Sequence, residues 1–299
     1  MTEHSNQYFE GLFEGYQKTI LPYRCWRPTF CEYVMVYVHG LGEHSGRYEN
    51  LIKAFSEEEV GFYGYDQRGH GKTKGQRGYV PSMHHLVEDL RAFLRLVSIH
   101  EGSKPIYLLG HSFGGLVVLK YMTDLHRKSG TMPKGVIVCN PLLALKLKIP
   151  PWKTKLANLF SKILPRLALG GGIDPKWISH DPKVVEAYEK DPLICRKVTL
   201  HLYQEMMKTM ASVKAGAEFL NAPLLIQLGT QDEIVEAEVS KHYYHQVSCE
   251  FKALKIYDGL YHELMNELGK EAVFNDMKRW ILELEKIEVP QIHLKQHVV

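Results

Sequence analysis

No Cys-x-x-Cys pair and no His-Glu-x-x-His occur in this chain. The five cysteines, Cys25, Cys31, Cys139, Cys195 and Cys249, are scattered and odd in number. They argue against a disulfide framework or a zinc site and point to a reducing compartment, the cytoplasm. Long hydrophobic runs are missing as well: none approaches the ~18 residues of a membrane-spanning helix. Residues 1–7 are polar and lack the apolar core of a signal peptide. Charge of one sign is scarce. The 37 Lys and Arg face 34 Asp and Glu, too even a balance for a nucleic-acid partner, and no basic run is interleaved with aromatics. Repeats and low-complexity tracts are absent. Histidine is plentiful, yet no chelating pattern emerges; His84 and His85 are adjacent and would diverge on a helix. These exclusions leave the expectation of a soluble globular protein. Its 299 residues suffice for one large α/β core with an insertion, or for two small domains.

Apolar runs alternate with helical patterns, which predicts an α/β fold with a mostly parallel sheet. Strands are expected at residues 34–38, 60–65, 105–109, 136–139, 223–228 and 254–257, with one or two antiparallel edge strands within 13–27. Helices are expected at 48–58, 84–100, 114–126, 237–246 and 271–286. In such a sheet the loops after the strands share one rim, so polar residues just past strand ends are the site candidates. The rhythm breaks between 142 and 217. This stretch holds Pro150-Pro151, Pro165, Gly170-Gly171-Gly172, Pro175, Pro182 and Pro192, short apolar helical patterns such as 152–164, and no obvious strand. Connections this long are usually lids or binding elements. The reading is a core of 1–141 and 218–299 with a helical cap, 142–217, inserted over it.

Gly110-His111-Ser112-Phe113-Gly114 is a G-x-S-x-G pentapeptide between the apolar run 106–109 and a Pro-free helical pattern. Strand, sharp turn and helix together expose a serine hydroxyl at a strand end and set a helix N-terminus behind it. A serine is a weak nucleophile and needs a base, and the base needs an orienting acid. Asp232 lies in the turn-rich loop after strand 223–228 and is the preferred acid, with Glu233 and Glu236 as rivals. His262 lies in the loop after the last strand and is the preferred base; His242 and His245 fall in a predicted helix. The oxyanion donors are expected to be the N–H groups of Phe113 and of Leu41, in the loop His39-Gly40-Leu41-Gly42-Glu43-His44. This chemistry needs no cofactor and no metal.

Two further segments carry a family resemblance. Residues 39–48, HGLGEHSGRY, resemble the H-G-x-G-E-H-x-x-R-Y segment of monoacylglycerol lipases and their lysophospholipase-like relatives. Asp66-Gln67-Arg68-Gly69-His70-Gly71-Lys72-Thr73 resembles the D-x-R-G-H-G-x-S turn of the same group, and 191–196 resembles its cap-to-core segment. The resemblance spans about 26–284. It implies an α/β-hydrolase fold of about eight strands, a cap that docks on membranes, an apolar tunnel for one acyl chain and a polar pocket for glycerol. It assigns Glu43 and Arg47 to that pocket and its loop, and Tyr188 to the alcohol exit. Val235 and Met265 stand where animal members carry cysteine and histidine, which removes one polar contact near the glycerol pocket.

The cap pattern agrees in outline. Trp152, Leu156, Leu159, Phe160 and Ile163 recur at helical spacing with Lys153, Lys155 and Lys162 between them, a basic amphipathic helix suited to an anionic interface. The expected function is a serine hydrolase of single-chain lipid esters, foremost monoacylglycerol. A lysophospholipase or short-chain esterase is the alternative, and a catalytically silent lipid-binding protein a more distant one. Acyl-chain preference and oligomeric state are not legible.

Overall fold

Strands covered on both faces need apolar side chains at every position, and the runs Val34-Met35-Val36-Tyr37-Val38 and Val136-Ile137-Val138-Cys139 supply them. In the computed structural model, which describes residues 7–125, 128–146 and 163–287, they become β3 (Tyr33–Val38) and β6 (Gly135–Cys139). With β1 (Gln7–Glu14), β2 (Ile20–Arg27), β4 (Val60–Tyr65), β5 (Ile106–His111), β9 (Leu224–Gly229) and β10 (Lys252–Tyr257) they build one eight-stranded sheet, ordered β1-β2-β4-β3-β5-β6-β9-β10. The six strands from β4 to β10 are parallel. β1 and β2 pair antiparallel with each other, and β2 antiparallel with β4, so of these two β2 is internal and β1 is an edge, with β10 at the opposite edge.

The pleat sorts side chains by parity. Val34, Val36 and Val38 enter a core shared with α2 (Met83–Glu101) and α3 (Phe113–Asp124). Met35 and Tyr37 enter the opposite core, under α1 (Glu49–Ala54) and α7 (Lys270–Glu285). α6 (Ala237–Gln246) connects β9 to β10. The chain leaves β3 towards β4 on one side and returns to β5 on the other. The carboxyl ends of β3 and β5 therefore flank the crevice where ligands bind in open α/β sheets.

Within 163–217 the structure adds a feature that no pattern announced: β7 (Ala168–Gly170) pairs antiparallel with β8 (Lys197–Thr199). Three-residue strands this exposed carry no readable alternation. α4 (Pro182–Lys190) starts at an Asp181 cap followed by Pro182, and α5 (Leu200–Ala215) buries Leu202, Met206, Met210 and Val213 in the α2–α3 core. The rest of the segment is tied to the rim. The Cys195 N–H donates to Gly42 O at 2.7 Å, Thr199 N–H to Gly78 O at 3.0 Å, and Glu263 N–H to Ile178 O at 2.8 Å. Gly42 is held at φ +77°, and a Cβ there would strike the Cys195 carbonyl oxygen. The amphipathic pattern 152–164 lies almost entirely outside the described residues, which include only its last two positions. Among the described residues no helix is long and apolar enough to cross a membrane.

Candidate active site

Ser112 sits between β5 and α3 with φ 53° and ψ −117°, a strained conformation for a residue with a side chain. The strain is maintained by close packing of helix on sheet. A Cβ on Gly114 would collide with the carbonyl oxygens of Val38 and His39, so only glycine lets α3 approach β3 this closely. Phe113 is the first residue of α3, and its N–H has no acceptor within the helix.

His262 Nε2 lies 2.8 Å from Ser112 Oγ, and its Nδ1 lies 2.6 Å from Asp232 Oδ2. A carboxylate can only accept, so Nδ1 carries the proton and Nε2 presents its lone pair to the serine hydroxyl. Asp232 Oδ1 accepts the N–H groups of Ile234 at 2.7 Å and Val235 at 3.0 Å, which fixes which oxygen faces the imidazole. Burial opposes a charged His262, but the adjacent Asp232 carboxylate outweighs it and raises the pKa above the ordinary value; Glu263 and Glu43 add to the rise. Burial likewise works against Asp232 ionisation. The His262 charge and hydrogen bond, with the two backbone donors, hold its pKa below the usual value. The rival carboxylate Glu233 turns away to Lys146 at 3.0 Å.

The loop after β3 faces this group. The Gly40 N–H donates to Glu43 Oε1 at 2.5 Å, and Tyr48 OH donates to the same oxygen at 3.0 Å. Glu43 thereby braces the backbone next to Leu41. Its pKa falls to about 2: burial pushes it up, but Arg47 first, then His111, His39 and the Gly40 N–H, outweigh that. Arg47 spans the loops. It donates to Glu43 Oε2 at 2.9 Å and through both terminal nitrogens to Glu263, at 2.5 and 2.8 Å, while its guanidinium lies 4.9 Å from the Tyr188 ring centre. Leu41, Glu43 and Tyr188 line a space of about 30 Å³ beside Ser112 and His262, closed by Ile173, Ile178 and Ile234. A larger cavity, about 740 Å³, runs along α2 past Arg91 and Arg95 and contains none of these groups. Among the described residues no group of His, Cys, Asp or Glu is arranged to hold a metal ion.

Three contributors escaped sequence reasoning. Asn140 (φ 42°) ends β6 and uses its side chain as a clamp: Oδ1 accepts the Gly229 N–H at 3.0 Å, and Nδ2 donates to His262 O at 2.8 Å. An Asn before a Pro at a strand end was the available signal. Glu263 is paired with Arg47 across 216 positions, a partnership invisible in local pattern. Glu267, fully buried, accepts the N–H groups of Tyr261, His180 and Leu268, the His180 ring and the Ser179 hydroxyl, and so ties 179–180 to the loop that carries His262. The 66–73 turn is a brace: Asp66 accepts the Ser45 N–H and hydroxyl and the Lys72 N–H.

Residues 31–269 match the family model described as Hydrolase_4, serine aminopeptidase S33. An uncharacterized abhydrolase domain-containing protein of Dictyostelium discoideum is 34% identical over 89% of this chain, which spans only 28% of that protein. The monoacylglycerol lipase of Mycolicibacterium smegmatis is 30% identical, over 91% of this chain and 96% of its own. Phospholipase YtpA of Bacillus subtilis is 31% identical, over 81% and 92%. Among solved structures, a soluble variant of monoglyceride lipase from Saccharomyces cerevisiae in complex with a substrate analog superposes with a TM-score of 0.80 at 25% identity, covering 95% of this chain and 96% of that one. The monoacylglycerol lipase of Paleococcus ferrophilus gives 0.77 at 29% identity, covering 93% and 99%.

Proposed function

This chain belongs to the Hydrolase_4 (serine aminopeptidase S33) family of α/β-hydrolases, and on that premise we propose that it is a carboxylic ester hydrolase of single-chain lipids, cleaving monoacylglycerol to glycerol and a free fatty acid. The observation that carries the reading is the relay Ser112 Oγ–His262 Nε2 at 2.8 Å and His262 Nδ1–Asp232 Oδ2 at 2.6 Å. Ser112 Oγ attacks the ester carbonyl as His262 Nε2 takes its proton. The Leu41 and Phe113 N–H groups hold the oxyanion, each such donor contributing ~2.7–4 kcal/mol to the transition state. The C–O bond to glycerol then breaks, and His262 gives its proton to the departing alkoxide. Water, deprotonated by His262, attacks the acyl-enzyme; the acyl–Oγ bond breaks, His262 returns the proton to Ser112 Oγ, and the fatty acid leaves. Asp232 keeps the imidazole in the working tautomer.

The apolar wall of Leu41, Ile173, Ile178 and Ile234 supports an acyl substrate. Glu43 and Glu263, the carboxylates among the described residues lining this space, are both paired with Arg47 rather than held ready for a peptide amino terminus, which favours esters over peptides. In this reading 142–217 is the cap, and peripheral membrane contact of a cytoplasmic enzyme runs through its first half. Exposed Ile163, Leu164, Leu167 and Leu169 at the described end of that stretch support the contact. The test is hydrolysis of a monoacylglycerol series from short to long chains by the wild type and Ser112→Ala. Turnover that peaks at medium or long chains and vanishes in the variant is expected. Ser112-dependent activity on only the shortest or chromogenic esters would move the protein to the general esterases, and full activity of the variant would overturn the scheme.

A further inference from the structure

A sheet edge presents a row of unpaired N–H and C=O groups, and soluble proteins blunt it with lysine, proline, a bulge or a cover. The two edges of this sheet differ in that respect. β10 carries Lys252 and Lys255 within six residues, and Lys255 is paired with Asp276 at 3.2 Å. β1 runs eight residues, Gln7 to Glu14, with no lysine and no proline. Its pairing with β2 is unbroken from Gln7↔Arg27 to Glu14↔Ile20, so no bulge turns it away. Among the described residues no strand pairs with its outer side. Apolar surface accompanies the open edge: Tyr8, Phe9 and Leu12 of β1 and Ile20 of β2 are exposed, Leu12 by 68%.

The charges on β1 and the strand period select an occupant. A second copy related by a two-fold axis pairs antiparallel. Opposite side chains then share a face, and because that face alternates along the strand, the axis must pass through a residue that meets its own copy. Two registers of this kind pair seven of the eight residues; the others pair five or fewer. Centred on Glu10, the longer pairing sets that carboxylate against itself. Centred on Gly11, it sets no carboxylate against another: Phe9 lies opposite Phe13, Glu10 opposite Leu12, and Tyr8 opposite Glu14. The packing suits this second register. The Tyr23 ring occupies the place a Cβ on Gly11 would take, and Phe9 and Phe13 flank it edge-on, each 6.3 Å from its centre. Phe9 against Phe13 carries that aromatic row across the axis. On the other face Leu12 lies diagonal to its own copy, which removes from water the most exposed apolar side chain of the strand.

We propose that β1 is a self-association edge, through which two copies join their sheets antiparallel about Gly11 into one continuous sheet. The inference does not rest on the esterase reading.

The experiment is sedimentation equilibrium of the full chain, wild type, Leu12→Glu and Leu12→Lys, from about 1 to about 200 μM. Eight residues a side is well short of the ~20–30 of a standard interface, so a dimer Kd on the order of 10 μM is expected. Leu12→Glu sets a carboxylate opposite Glu10 of the other copy and diagonal to its own copy, twice per dimer, and should raise Kd at least about tenfold. Leu12→Lys sets an ammonium opposite the same Glu10 and should dimerise at least about tenfold more tightly than Leu12→Glu. Net charge predicts the reverse order: the chain carries +3, lysine adds to it and glutamate reduces it, so simple self-repulsion would favour the glutamate variant. A wild type that stays monomeric throughout would overturn the proposal and leave the edge to a different partner. A dimer that neither substitution moves, or that both weaken equally, would overturn it by placing the contact elsewhere or in another register. Circular dichroism checks the fold of both variants. If either fails to fold, amide exchange of the wild type decides: protection in β1 should rise between the dilute and the concentrated sample, and unchanged exchange there would overturn the proposal.

Discussion

Replacing Asp232 by Asn tests the relay at its most buried joint. Asp232 Oδ1 is committed to the Ile234 and Val235 N–H groups, and Oδ2 to His262 Nδ1 at 2.6 Å. An Asn can keep the two backbone donors only by placing its carbonyl oxygen there. Its amide NH2 then faces Nδ1 and donates. The imidazole is forced into the tautomer with the proton on Nε2, and Ser112 loses its base. A tautomer reversal of this kind costs on the order of 10⁴ in kcat, about 5 kcal/mol of activation free energy. The pH profile gives a second readout. In the wild type the carboxylate raises the His262 pKa above 6.5, so the base is neutral only above that value, and kcat/KM should climb with pH through a limb lying above 6.5. In Asp232→Asn, burial acts on the ring without the carboxylate's compensation, and the residual activity should show its limb at lower pH. The assay is chromogenic ester hydrolysis from pH 5 to 9, with circular dichroism to verify the fold. Residual kcat above about a tenth of wild type, or an acidic limb that stays in place, would refute the role given to Asp232.

Ser112→Gly should be more stable than Ser112→Ala by about 1 kcal/mol in urea denaturation, because glycine alone relaxes at φ 53°; equal midpoints would show that the turn stores no strain. Gly114→Ala should lose about 3 kcal/mol or fail to fold, since its methyl would meet the Val38 and His39 carbonyls, and a wild-type thermal midpoint would contradict the close approach described. Glu267→Ala orphans four donors around a fully buried site and should cost about 3 kcal/mol of stability with a parallel fall in kcat; a loss under about 1 kcal/mol would mean water replaces the carboxylate at no penalty.

The frame of the molecule was legible because buried parallel strands write themselves as continuous β-rich runs. The run 60–65 appears unchanged as β4, and 254–257 is the last four residues of a six-residue β10. Ser112, Asp232 and His262 could be nominated because the loops after parallel strands share a rim, and the structure brings the three within hydrogen-bond reach. Arg47 and Tyr188 were reached through resemblance, with no pattern of their own to mark them. Glu263 and Asn140 stayed hidden because their value lies in partners 216 and 122 positions away. The β7–β8 ribbon was missed for the opposite reason, being too short to show a period.

The distance along the chain between Ser112 and His262, 150 positions closed to 2.8 Å, makes activity a late clock for folding. Ser112 has its local turn as soon as β3, β5 and α3 pack. Its nucleophilicity waits until β9 and β10 have docked beyond β6 and delivered the two loops they carry. Labelling by a serine-directed fluorophosphonate during refolding would therefore trail the recovery of amide protection in β3 and β5, and the interval between them would time the closure of this long loop.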